Sequence, residues 1–338
     1  MYKILIIAPN WVGDAVLAQP LFMRLHERHP GLKLDVMAPA WVLPLLKRIP
    51  EVDATLLNPF GHGELKLTAR YRLAKELRER NYDQAIILPN SAKSALIPFL
   101  ARIPVRTGFI GEMRRGLLTD ARVLDGKALP LMVEQFAWLA EKPPGTQGTI
   151  RRPFPAPHLQ VNEEQRRAAL AKLGLTPLKP VAVFCPGAEY GPAKRWPAVH
   201  FAELARRLHE KYEIWLVGSS RDAVIGEEIR SLSGDACINL CGKTGLDEAI
   251  DLLSCAAVVV SNDSGLMHLA AALDKPMAAL YGSSSPAFTP PLSSHAAVIK
   301  LDLPCSPCFK RECPLGHFNC MVQLTPAQVL ARIRAEKT

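Results

Sequence analysis

The feature that most constrains this chain is an alternation, repeated along its length, of short apolar runs with amphipathic helical stretches. Lys3-Ile4-Leu5-Ile6-Ile7-Ala8 is almost continuously apolar and only strand-long, as in a strand buried on both faces of a parallel sheet. After Gly13-Asp14, residues 15–28 read as one helix, with Val16, Leu17, Leu21 and Leu25 along a single face. Residues 34–38 and 84–88 read as further strands, the second preceded by a charged helix near residues 70–80. Strands alternating with helices predict an α/β class with helices on both faces of a parallel sheet.

Around residues 141–157 the texture changes, with proline-rich pieces at 142–145 and 152–157 that have little capacity for regular structure. A chain of 338 residues exceeds the usual size of one core. A boundary here gives two domains, 1–155 and 156–338. The second carries its own series: strands at 181–185, 213–217, 258–261 and 277–281, helices at 197–211 and 246–254, and a final helix at 326–337. Two open α/β halves are expected to bind ligand in a cleft at the carboxyl ends of their strands.

The formal charge of +9 points to an anionic partner. No dense lysine or arginine block and no interleaved aromatic platform is present, so nucleic acid is not the expected one. The first fourteen residues turn polar too quickly for a signal peptide, and no apolar run approaches the roughly 20 residues of a membrane span. Eight cysteines, four of them scattered in apolar contexts, fit a reducing compartment and hence the cytoplasm.

Four strand-to-helix crossings carry the polar chemistry. Pro9-Asn10-Trp11-Val12-Gly13-Asp14 follows the first strand; Asp14 is either a helix cap or a working carboxylate, and the Trp and Gly beside it are expensive choices for a mere turn. The loop from Pro186 to Pro197 holds Lys194 and Arg195 before a helix, suited to a diphosphate or else a solvated basic pair. Val217-Gly218-Ser219-Ser220-Arg221-Asp222 ends a strand with a glycine turn and an acid, a partial echo of ribose-binding turns. Neither G-x-G-x-x-G nor G-x-x-x-x-G-K-[ST] occurs, which weighs against dinucleotide and P-loop readings. Richest is Ser261-Asn262-Asp263-Ser264-Gly265-Leu266-Met267-His268. Ser264 and Gly265 at a helix start offer free amides to an anion, Asp263 can accept from sugar hydroxyls, and His268 sits one turn in; a capping Asn or Asp with a structural histidine is the plainer alternative.

Val12-Gly13-Asp14, the 186–197 loop, Asn262 to His268 and Tyr281-Gly282-Ser283-Ser284-Ser285-Pro286 together resemble the ADP-heptose:lipopolysaccharide heptosyltransferases, glycosyltransferase family 9. These motifs span both halves. The resemblance implies a GT-B fold, two Rossmann-like domains facing a cleft, the N-terminal one binding acceptor and the C-terminal one the nucleotide sugar. It implies inverting transfer of heptose from ADP-L-glycero-β-D-manno-heptose to the first heptose of the lipopolysaccharide inner core, with no cofactor or obligatory metal. Position by position, Asp14 matches the general base and Lys194 the lysine at the diphosphate. Asp222 stands where the family has an acid at the ribose. Asp263, Ser264, Gly265, Leu266 and His268 match the loop that holds heptose and phosphates. Closure of the halves is expected to assemble the site. Transfer of another nucleotide sugar, or non-catalytic nucleotide-sugar binding, are the competing readings.

An anionic acceptor on an acidic leaflet gives the positive charge a purpose, with contact at the inner membrane surface. Lys93, Arg106, Arg114 and Arg115 are the expected acceptor ligands. Cys305, Cys308, Cys313 and Cys320, with His317, are either a structural zinc site or free thiols in a packed loop; the first spacing suits zinc, but no second C-x-x-C follows.

Overall fold

The computed structural model describes residues 1–61, 63–141 and 151–335; the proline-rich piece 142–145 and the end of the final helix lie outside the described residues. The chain divides into two compact units, Met1–Pro157 and His158–Thr338.

The first unit holds β1 (Lys3–Ile7), β2 (Lys33–Ala38), β3 (Ala54–Leu57), β4 (Gln84–Ile87), β5 (Val105–Phe109) and β6 (Asp120–Arg122), in the order β3-β2-β1-β4-β5-β6. Every pairing is parallel, with Ile7 level with Met37 on one side and Ile87 on the other. The second unit holds β7 (Val181–Cys185), β8 (Glu213–Leu216), β9 (Ile238–Asn239), β10 (Ala256–Asn262), β11 (Met277–Tyr281) and β12 (Ala296–Lys300), in the order β12-β11-β10-β7-β8-β9. Read from the other edge, this is the same order. The first and fourth strands of each unit lie side by side, and the chain winds away from them in opposite directions. That switch point opens a crevice at the carboxyl ends of the central pair, β1 with β4 and β7 with β10, where open parallel sheets take their ligands.

Central strands are apolar because helices cover both faces: Ile4, Leu5 and Ile6 are fully buried, as are all five residues of β7. Edge strands escape that demand. Sequence patterning finds none of the four edge strands, β3, β6, β9 and β12, because a half-exposed edge needs no continuous apolar run, and it also misses β5, which Gly108 and Arg106 interrupt.

The helix expected over residues 15–28 is two helices, Val12–Leu17 and Gln19–Arg28, with Ala18 at the joint. Pro20 has no N–H to return to the Val16 carbonyl, so the ladder breaks and restarts with proline in the new first turn. No helix among the described residues is long and apolar enough to cross a membrane.

Candidate functional site

In the first unit, the loop after β1 runs directly into the helix Val12–Leu17. Trp11 occupies the capping position and Asp14 lies inside the first turn, so Asp14 is not the cap. Its carboxylate is half-buried, at the switch point, where the helix's positive end complements a negative charge. Lys93 occupies the first turn of the helix Ala92–Leu100 beyond β4, on the other side of the same crevice.

The four expected acceptor cations separate sharply. Arg114 is fully buried. Its guanidinium donates to the carbonyls of Phe109 and Pro89 and, at 3.1 Å, to Asn90 Oδ1, so it fastens the loop after β4 to the end of β5. Arg106 gives Nε to the Leu117 carbonyl at 2.7 Å and Nη1 to that of Ile103 at 2.5 Å, and lies over the Phe99 ring. Arg114 has no exposed surface and leaves the acceptor set, whereas Arg106 is half-exposed and commits only Nε and Nη1 to backbone. Arg115 is exposed and Lys93 half-exposed; these two remain alongside Arg106.

In the second unit the end of β10 is the hub. Asn262 is fully buried; its Oδ1 accepts from the Trp196 N–H at 3.1 Å and its Nδ2 donates to the Pro186 carbonyl at 2.8 Å. One side chain thereby clamps both ends of the loop that carries Lys194. Trp196 anchors the far end, with its indole wholly buried and donating to the Leu324 carbonyl at 2.7 Å. Sequence reasoning offers Asn262 only as a possible helix cap, a place Ser264 takes, since an asparagine in a polar stretch does not announce what it bridges. Asn262→Ala strands a buried donor and a buried acceptor, and should cost about 2–4 kcal/mol of stability in urea unfolding. A loss below about 1 kcal/mol would contradict the clamp.

Lys194 Nζ reaches Asp263 Oδ2 at 2.5 Å, with the carboxylate side chain only 5% exposed. The next residue, Ser264, caps the helix Gly265–Ala272 without a side-chain hydrogen bond. The helix's first amides therefore lack a capping partner and, at the half-exposed residues Ser264 to Leu266, stand beside the ion pair. His268 is buried one turn in. Burial pushes its pKa from 6.5 down to about 4, with Asp263 opposing and Lys194 reinforcing the shift, so at neutral pH the imidazole is an uncharged donor rather than a cation. Ion pair, helix amides and neutral imidazole together form a cradle for an anion.

The same shift makes a stability prediction. Between about pH 6.5 and about pH 4 the unfolded chain takes up a proton that folded His268 refuses. Its contribution is complete above that window and is lost as pH falls through it, by about 3 kcal/mol at the bottom. Urea midpoints of wild type and His268→Gln at pH 7 and pH 4.5 should differ in slope, the variant losing less; parallel curves would refute it.

Asp222 follows β8, nine-tenths buried, with Oδ2 accepting from the Ser219 N–H at 2.9 Å and hydroxyl at 2.7 Å. It closes its own turn, and Arg195 stands 3.9 Å from its other oxygen. Gly187, after β7, makes this possible, since a Cβ there would run into the Asp222 carboxylate. The structure thus brings the turn of Asp222 against the Lys194 loop.

The cysteine-rich segment proves to be a strut. The Arg311 carbonyl accepts from the Ala193 N–H at 3.0 Å, the Phe309 carbonyl accepts from the Tyr190 hydroxyl at 3.0 Å, and Arg311 and Lys194 both lie over the Tyr190 ring. A Cβ on Gly191 would collide with the Arg311 carbonyl, so the segment sits hard against the lysine's loop. Cys305, Cys308, Cys313 and Cys320 line a small pocket of about 20 Å³ with Ala193, Ser283 and His317. Backbone amides, that of Phe318 foremost, hold the Cys313 thiol below its ordinary pKa. Even so, among the described residues no group of three or more His, Cys, Asp or Glu is arranged to hold a metal ion.

Comparison with known proteins identifies the family. The sequence profile of Glycosyltransferase family 9 (heptosyltransferase) matches residues 70–319. This chain is a family 9 glycosyltransferase. Lipopolysaccharide heptosyltransferase 2 of Salmonella typhimurium is 48% identical over 98% of both chains, and that of Escherichia coli is 47% identical over 98% of both. The structure of E. coli ADP-heptose lps heptosyltransferase II matches with a TM-score of 0.88 at 45% identity, covering 99% of this chain and 98% of that one. The two parallel six-stranded sheets are the Rossmann-like halves of the GT-B glycosyltransferase. Asp14 and Lys93 lie at one switch point of this family 9 enzyme, and Lys194, Asp263 and His268 at the other.

Proposed function

We propose that this enzyme is an inverting glycosyltransferase that moves L-glycero-D-manno-heptose from ADP-heptose to the first heptose of the lipopolysaccharide inner core. The observation that carries the reading is the full-length 48% identity to a lipopolysaccharide heptosyltransferase 2. The acceptor hydroxyl attacks the anomeric carbon from the face opposite the leaving ADP, losing its proton to Asp14 as general base. Negative charge gathering on the departing diphosphate is met by Lys194, the amides at Ser264, Gly265 and Leu266, and the neutral His268. Asp263 orients Lys194 and accepts from donor hydroxyls, and Asp222 serves the ribose. No cofactor is required in this scheme.

Lys93, Arg106 and Arg115 are the cations left to hold the anionic acceptor, a lipid-borne molecule reached from the cytoplasmic face of the inner membrane. Replacing Lys93 and Arg115, the two without a backbone-tethered guanidinium, by alanine should raise the acceptor KM about tenfold and leave that of ADP-heptose within twofold. An unchanged acceptor KM would remove them as well.

The deciding experiment offers the enzyme ADP-heptose, a UDP-hexose and a GDP-hexose with a core acceptor ending in its first heptose, and reads the product by mass. A heptose increment from ADP-heptose alone is expected. A hexose increment would move the assignment to another nucleotide sugar, and none at all would favour a binding protein.

A further inference from the structure

Of the chain's five tryptophans, Trp196 and Trp215 are fully buried, as their size dictates, whereas Trp11 and Trp41 leave 49% and 57% of their surface in solvent. Both exposed indoles stand at the carboxyl edge of the first unit's sheet, Trp11 in the loop after β1 and Trp41 just past the neighbouring β2. Trp41 does not hang loose: its indole N–H donates to the Asn10 carbonyl at 2.9 Å, which ties it to the loop containing Trp11. Asp14 lies three residues beyond Trp11, one helical turn away, and the Ala15 N–H to Trp11 carbonyl bond at 3.0 Å fixes that spacing. Two large apolar plates, one with its single polar atom already satisfied, thus stand in the loops at the same carboxyl edge of the sheet as the proposed catalytic carboxylate. An indole left half in water keeps apolar surface available for burial by a ligand.

We propose that Trp11 and Trp41 form the subsite for the acceptor's pyranose ring, with the C–H face of the sugar packed on the indoles and the reacting hydroxyl presented to Asp14. The weakly positive axial hydrogens of a pyranose suit the negative face of an aromatic ring, and the sugar's hydroxyl rim stays in water. A pinned indole offers that contact at little entropic cost, since its orientation is set before binding. The inference rests on the heptosyl-transfer reading for the identity of the sugar, but the subsite stands on its own geometry.

The test uses a deacylated, water-soluble core saccharide ending in heptose. Trp41→Ala and Trp11→Ala should each raise its KM tenfold or more with the ADP-heptose KM within twofold, and Trp41→Phe should recover most of the loss. Independently of turnover, the saccharide should shift the intrinsic fluorescence of wild type, and the shift should shrink in Trp41→Phe. This second arm decides the subsite even if heptose is not the transferred sugar. The proposal is overturned if KM and fluorescence are indifferent to both tryptophans, or if the alanine variants lose only sedimentation with acceptor-free anionic vesicles, which would make the indoles a membrane contact.

Discussion

Asp14→Asn is expected to lower kcat by roughly 10²–10⁴ while ADP-heptose binds within twofold of wild type. The substitution is isosteric and keeps the position at the third residue of the helix Val12–Leu17, so the change falls on proton acceptance rather than on the fold. A hydroxyl attacking an anomeric carbon becomes strongly acidic only as the bond forms, so a base that acts late in the reaction alters kcat more than ground-state affinity. Donor affinity is the control, because every group assigned to the diphosphate lies at the second unit's switch point. Isothermal titration with ADP and single-turnover transfer on the same preparation separate the two. A variant that keeps more than a tenth of wild-type kcat would take the base away from Asp14.

The crossings after β1, β7 and β10 were legible because polar, glycine-bearing loops following buried apolar strands stand out against a chain that is otherwise amphipathic, and both switch points fall there. Strand order was not legible. Parallel pairing follows from alternation, but nothing in a buried run says which run lies beside it. Arg114 shows the same limit at one residue: as a letter it is a cation next to Arg115, yet it is buried against two loop acceptors and the last carbonyl of β5 while its neighbour is in solvent. Asn262 is its counterpart in the second unit. Each sits at the carboxyl edge of a central or neighbouring strand and ties together backbone that no sheet ladder reaches. Likewise, the cysteines drew attention to metal chemistry, whereas the contacts that matter run through the backbone between them, from Phe309 and Arg311 to the loop of Lys194.

That loop leads to the second large effect. Lys194→Ala should reduce kcat/KM for ADP-heptose by about 10²–10³, the usual loss when one donor to a developing oxyanion is removed. It should also lower stability, because Asp263 is then a carboxylate only 5% exposed without its ammonium partner. The two consequences have different causes and a double variant parts them. In Lys194→Ala with Asp263→Asn, the stranded charge is gone, so much of the lost stability should return, whereas activity should stay low because nothing has restored a cation at the diphosphate. Lys194→Arg should keep charge and stability but lose part of the rate, since a flat fork cannot occupy the 2.5 Å ammonium position beside Asp263 without moving it. If the double variant regained activity together with stability, the lysine would be only a counter-ion for Asp263. The anion cradle would then reduce to the helix amides and His268.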